Sequence, residues 1–165
     1  MNWIQKTHHK QEDRVSCVPA SLAMVLSAYG IHVSQSELKG DMGITPRGTQ
    51  ISDDALDKIR LEQWGLQHQL QYECTLDDLN TDIANGNPPI VVIRSSYLPH
   101  AEEDLLHAVV VIGADEAQIY LNDPLREDAL PVQMERSLFM EAWEWNNYCV
   151  VRIQPSTKGE STNEH

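Results

Sequence analysis

An α+β fold is predicted by two patterns that follow one another along the chain. Helix caps and helical periodicity run as far as Asn85-Gly86, and short β-branched runs take over after Pro88-Pro89. Helices followed by strands, rather than alternating with them, set a helical half against a mainly antiparallel sheet. The 165 residues, 41% of them hydrophobic, are enough to build one core and too few for two.

The first helix is bracketed over 19–29. Ser16 stands as a candidate N-cap, Pro19 fits the first turn, and Gly30 closes the run in a left-handed conformation. Ala20, Leu22, Ala23, Met24, Val25, Leu26 and Ala28 leave it little polar surface, so it is expected to be central and covered on several sides. A capping box, Ser34-x-x-Glu37, opens a short helix that stops near Gly40. Pro46, Gly48 and Thr49 form a loop, and a longer helix starts near Ser52 with Ala55, Leu56, Ile59 and Leu66 on its apolar face and Gly65 as its stop. Thr75 caps a further helix carrying Leu76, Leu79 and Ile83. Strands are expected at 90–93, 107–112, 118–122, 130–134 and 148–153, with one helix at 137–145 among them. From Gln154 the chain turns polar and disorder is expected, which gives a single domain over 1–155 and a tail over 156–165.

Charge narrows the partners. Twenty-five acidic against twelve basic residues leave a formal charge of -13, which repels nucleic acid and anionic membrane surfaces alike. The longest apolar stretches, around 20–26 and 108–112, fall far short of the ~20 residues that cross a bilayer, and the N-terminus has no apolar run of signal-peptide length. Cys17, Cys74 and Cys149 are odd in number and form no CxxC pair, which argues against a disulfide framework or a zinc knuckle and for a reducing cytoplasm.

Cys17 is the residue placed for chemistry. A thiol at a helix N-terminus meets the partial positive charge of unpaired N–H groups, which favours the thiolate. Gln11, on the loop that leads into the helix, is placed to aim an amide donor at the same space as the Cys17 N–H, the arrangement of an oxyanion hole. His107 opens a strand that continues through Val109 and Val111, while Asp123 ends the next strand before Pro124. A base and an orienting carboxylate are thus expected on adjacent strands. Strand alternation puts Asp123 on one side with Leu121 and Ile119, expected to face the helix of Cys17, and Asn122 on the other with Tyr120.

These residues resemble a known family. Gln11-x5-Cys17-Val18-Pro19-Ala20-Ser21-Leu22, Leu106-His107-Ala108-Val109-Val110-Val111-Ile112-Gly113 and Leu121-Asn122-Asp123-Pro124 are similar to papain-like cysteine peptidases of the bacteriocin-leader-processing, double-glycine family. The resemblance extends to Ser137-x5-Trp143 and the terminal strand. It implies a papain-like fold in which Gln11, Cys17, His107 and Asp123 act as oxyanion donor, nucleophile, base and orienter, with no metal or cofactor and with a peptide or protein as substrate. Val18 stands where the family usually has Gly directly after the nucleophile, so either a narrower groove or a changed choice of peptides is expected. The family's best-known members are fused to a transmembrane exporter and ATPase, segments absent from these residues, and leader cleavage is not carried over.

The remaining candidates have plainer readings. His8 and His9, like His32, His68 and His100, read as solvated loop positions, and Cys74 and Cys149 as buried packing. Glu102-Glu103-Asp104 and Asp53-Asp54 read as solvated faces, and Trp64, Trp143 and Trp145 as packing. A cysteine peptidase leads. An acyl or peptidyl transferase using the same thioester, and a non-catalytic peptide-binding domain that keeps the cleft, are the alternatives.

Overall fold

The computed structural model describes residues 8, 10, 16–44, 51–126, 128 and 130–156. Six strands among them form one sheet: β1 (Leu66–Gln71), β2 (Ile90–Arg94), β3 (Leu106–Ala114), β4 (Gln118–Asn122), β5 (Val132–Glu135) and β6 (Val150–Pro155). Their order is β1-β6-β2-β3-β4-β5, and every neighbouring pair is antiparallel. The helices are α1 (Cys17–Ala28), α2 (Gln35–Met42), α3 (Asp53–Asp57), α4 (Leu76–Ala84) and α5 (Arg136–Glu144). The molecule is α+β, as the sequence predicts.

Both faces of the sheet are covered, which is why its central strands are apolar at nearly every position. On one face Ile90, Ala108, Val110, Ile112, Val151 and Ile153 pack with α1, α2 and α3. On the other, Val91, Ile93, Val109, Val111, Ile119, Leu121 and Val150 pack with α4 and α5 around Phe139 and Trp143. The alternation of a strand decides which residue goes to which core. Nine consecutive residues of α1, Val18 to Leu26, are buried, so this helix is enclosed as its composition predicts.

Several boundaries differ from the sequence reading. The helix α1 starts at Cys17 rather than Pro19, and α2 continues past Gly40 to Met42, where Gly43 at φ 70° supplies the left-handed stop. The long helix expected after Ser52 is broken. It ends at Asp57, Arg60 takes φ 57°, and a 3₁₀ turn over Leu61–Trp64 follows. The break turns both Ile59 and Leu61 into the core, which a straight helix would not do.

The strand β1 has no counterpart in the sequence reading. Its residues, Leu-Gln-His-Gln-Leu-Gln, carry only two apolar side chains because it is an edge strand paired on one side with β6. In turn β6 runs on to Pro155, and the amide of Ser156 donates to the Gly65 carbonyl (2.9 Å), so the ordered chain extends past Gln154. The remainder of the predicted tail lies outside the described residues.

Candidate active site

Cys17 is the first residue of α1. The side chain of Ser16, the residue before it, accepts no hydrogen bond from the helix's first turn, and no acidic residue occupies that turn. The positive end of the helix is therefore left to act on what lies at its mouth.

What lies there is the backbone edge of β3. The Val111 amide donates to the Pro89 carbonyl on the β2 side (2.9 Å), so by alternation the N–H and C=O of Ala108 point toward β4. Val110 is opposite Asn122. Extending that register sets Pro124 opposite Ala108, and proline has no N–H to offer. β4 leaves the sheet at this point, and α1 takes over the vacated edge. The Ser21 hydroxyl donates to the Ala108 carbonyl (3.3 Å), and the Ala108 amide hydrogen-bonds the Cys17 thiol.

His107 precedes Ala108 and is buried. Its Nε2 donates to Oδ1 of Asp123 (2.6 Å), and its ring is also hydrogen-bonded to the Cys17 thiol, which leaves Nδ1 as the nitrogen that meets sulfur. Asp123 is buried as well, and its Oδ1 accepts in addition from the Leu125 amide (2.9 Å). His107 and Asp123 share one face of the sheet as diagonal cross-strand neighbours. That face differs from the expected one. Ile119 and Leu121 pack with α4 and α5, while α1 lies against Ala108, Val110, Ile112 and Tyr120. The thiol reaches the imidazole around the open edge of β3, which strand alternation alone does not show.

The protonation states follow from these contacts. Burial raises the Cys17 thiol, but the hydrogen bond and charge of His107 and the amides of Ala108 and Val18 outweigh it, holding the thiol below its ordinary 9.0. Burial pulls His107 down, yet its bonds to Asp123 and Cys17 dominate and push it up to about 9. Burial raises Asp123 too, and His107 more than compensates, keeping the carboxyl below its ordinary range. All three shifts run toward the charged forms: a thiolate, an imidazolium and a carboxylate in line.

Beside the thiol lies a cavity of about 170 Å³ lined by Cys17, Val18, Ile51, Tyr72, Val92, Leu106, Ala108 and Asn146. Tyr72 and Leu106 are exposed at its margin. Val18 is buried in its wall, with its side chain against the core on the α1 side of the sheet.

The family model described as the Peptidase_C39 like family matches residues 3–149. The chain belongs to that family. It is accordingly a cysteine-type peptidase. A search of curated protein sequences returns no match. Solved structures share the papain-like fold of this C39-like peptidase. One is a C39-like peptidase from Bacillus anthracis, with a TM-score of 0.73 and 18% identity over 94% of this chain and 98% of that one. Another is the peptidase domain of Streptococcus ComA, a bifunctional ABC transporter of a quorum-sensing pathway, with a TM-score of 0.68 and 20% identity over 90% and 97%. A third is a double glycine motif protease from an AMS/PCAT transporter in complex with the leader peptide, with a TM-score of 0.69 and 21% identity over 94% and 95%.

Of the four site residues singled out in this C39-like chain, Cys17, His107 and Asp123 come together, and Gln11 lies outside the described residues. Cys74 and Cys149 are buried, and burial raises both thiols, Cys149 to about 11. Three histidines read as solvated loop positions are not. His68 lies on β1, half-buried, with Nε2 bonded to Asp53 Oδ1 (2.9 Å). His8 is half-buried, with Nδ1 bonded to Asn122 Oδ1 and Nε2 donating to the Arg126 carbonyl (3.0 Å), and His100 is bonded to Asp123. His9 lies outside the described residues. Spacing held no sign of the His8 and His100 contacts, because each loop returns to the site only once the strands have paired. Trp143 is packing: its indole N–H donates to the Cys149 carbonyl (2.9 Å) against Phe139 and Tyr148. No helix among the described residues is long and apolar enough to cross a membrane, and no group of three or more His, Cys, Asp or Glu among them is arranged to hold a metal.

Proposed function

We propose that Cys17 is the nucleophile of this cysteine peptidase, His107 its general acid and base, Asp123 the group that orients His107, and Gln11 a donor of the oxyanion hole. The observation that carries the reading is the hydrogen-bonded line from the half-buried Cys17 thiol through buried His107 to buried Asp123. The thiolate attacks a peptide carbonyl carbon, an S–C bond forms, and the oxygen takes up negative charge facing the Cys17 amide and Gln11. As the oxyanion collapses, His107 gives its Nδ1 proton to the departing amine and the C–N bond breaks, leaving a thioester. His107, now neutral, takes a proton from water as it attacks the thioester. The acid is released, and the proton restores the thiolate–imidazolium pair.

The substrate is a peptide, or a protein segment extended enough to enter the cleft. A family fold that holds a leader peptide in one solved relative supports this. Residues 1–155 act as one peptidase domain, in a reducing compartment such as the cytoplasm, where the three free cysteines persist as thiols.

The test is cleavage of a peptide library read by mass spectrometry. Cys17→Ala is expected to abolish cleavage with the circular dichroism spectrum unchanged, and Gln11→Ala to slow it by roughly 10² to 10³. Asp123→Ala is expected to cost more than Asn122→Ala, up to about 10⁴. Cleavage that persists in Cys17→Ala would refute the nucleophile, and a larger loss in Asn122→Ala than in Asp123→Ala would refute the orienting carboxylate.

A further inference from the structure

The proposed mechanism uses one oxygen of Asp123, yet both oxygens are engaged. Oδ1 holds His107 and the Leu125 amide, and Oδ2 accepts from Nε2 of His100. We propose that His100 is a positioning residue of the catalytic site, acting through the second oxygen of Asp123 to hold the first against His107. This rests on the reading of Cys17, His107 and Asp123 given above.

The geometry leaves the ring one job. A carboxylate only accepts, so Nε2 of His100 carries the proton. Among the described residues Nδ1 is buried with no hydrogen-bond partner, and the bond to Asp123 is the one hydrogen bond that the side chain makes there. Burying a polar atom without a partner costs free energy, and a ring set for its own satisfaction would turn that nitrogen to water. Its backbone is fixed from both sides. Arg94, at the end of β2, donates to both oxygens of Asp104 (2.7 and 3.1 Å), and the Leu105 amide donates to Ser95 Oγ (2.8 Å). The loop between β2 and β3 is thereby clamped across its base, and His100 is carried back onto Asp123.

The consequence for the site is directional. Rotation about the last bond of an Asp side chain is soft and roughly two-fold, so a carboxylate bonded at one oxygen can swing its plane. A donor on each oxygen fixes that plane, and Oδ1 stays in line with the imidazole. The His100 N–H also stabilises the negative carboxylate, which keeps the shared proton on His107. Among the described residues, the titratable groups facing this carboxylate are His107 on β3, with Cys17 beyond it, and His100 on the loop. Glu102, Glu103 and Asp104, farther along that loop, are exposed, and Asp104 is paired with Arg94.

The experiment is the pH profile of Cys17 alkylation by iodoacetamide, mapped by mass, in the full chain and in His107→Ala, His100→Ala and His100→Gln. Gln keeps an N–H donor near the position of Nε2. His100→Ala is expected to slow labelling at neutral pH about tenfold, the scale of one hydrogen bond to a charged group, and to move the thiolate limb to higher pH. His100→Gln is expected to restore most of both. Equal rates in the unaltered chain and His100→Ala, with His107→Ala slow, would overturn this proposal alone. Equal rates in the unaltered chain and His107→Ala would overturn the thiolate–imidazolium reading and this proposal with it. Equal losses in the Ala and Gln variants, both folded by circular dichroism, would overturn the hydrogen-bond role. Should His100→Ala fail to fold, ¹⁵N NMR of the imidazoles in the unaltered chain decides: a proton on Nε2 of His100 is expected, and a proton on Nδ1 with Nε2 bare would overturn the proposal.

Discussion

Cys17 and His107 hold each other's charge, and the pH dependence of turnover follows from the signs. The reactive form carries a thiolate and an imidazolium. Raising pH creates the thiolate as it passes the depressed value of Cys17, and destroys the imidazolium as it passes about 9, the raised value of His107. A bell is expected for kcat/KM against pH, with its upper limb near 9 and its lower limb below the ordinary thiol range; both limbs belong to the coupled pair. A profile that only begins to rise near 9 would mean an unactivated thiol. Removing the His107 charge moves both limbs, so His107→Ala is expected to bring Cys17 alkylation back to the behaviour of an ordinary buried cysteine. Val18 acts on a different quantity. Val18 lines the cleft beside Cys17 with its side chain packed into the core behind it, and Val18→Ala, by relaxing that wall, is expected to raise kcat/KM for a peptide with a bulky residue at the cleaved bond, relative to one with glycine there, by about tenfold. Paired kinetics on two such peptides would check it, and an unchanged ratio would show that Val18 does not set the width.

At the scale of elements, what was legible depended on whether the signal was local. The caps were local. Thr75 and Asp78 form the reciprocal box that starts α4, Ser34 accepts from the Glu37 amide, and Ser52 from that of Ala55. The edge strand β1 was not legible, because polar residues suffice where only one side is paired and β6 supplies the template. The break after α3 was hidden for a related reason: Ile59 and Leu61 fit a helical stripe poorly and a turn well, and only the core they fill chooses between them. In the site, the kinds of residue at 17, 107 and 123 and the shared side of His107 and Asp123 could be reasoned from spacing and alternation. The approach of α1 to the edge of β3, instead of its face, could not, because it depends on which strand the Ala108 backbone faces. That seat can be tested through Ser21, one turn below Cys17 and bonded to the same Ala108. Ser21→Ala is expected to cost about 0.5–1.5 kcal/mol in chemical denaturation and to slow Cys17 alkylation. A loss of stability with labelling unchanged would mean that the helix mouth is held by other contacts.

At the scale of the whole molecule, the sheet is tied to the α4 face by a buried ion pair that no sequence pattern announced. Arg152 on β6 donates through Nε to both oxygens of Asp82 on α4 (2.9 and 2.8 Å), and through Nη1 to Gln71 and Gln69 on β1. Both charged side chains are about nine-tenths hidden from solvent. The guanidinium thus joins the edge strand, its neighbour and a helix at one point, at the end of the sheet away from β4 and β5. Burial pushes the Asp82 carboxyl up, and Arg152 only partly offsets it, so the pair's worth lies less in net stability than in not being left half made. Asp82→Ala, which leaves Arg152 buried without its carboxylate, is expected to lower stability by about 3–5 kcal/mol, whereas the apolar double replacement Asp82→Leu with Arg152→Met is expected to recover most of that loss. Denaturant unfolding of the single and double variants measures it, and a double variant no more stable than Asp82→Ala would show that the pair carries net stability of its own. Because Cys17, His107 and Asp123 are seated on β3 and its neighbours rather than on β1, a folded Asp82→Ala protein is expected to keep its Cys17 alkylation profile. A shifted profile would show that the thiolate depends on the far edge of the sheet as well as on its local contacts.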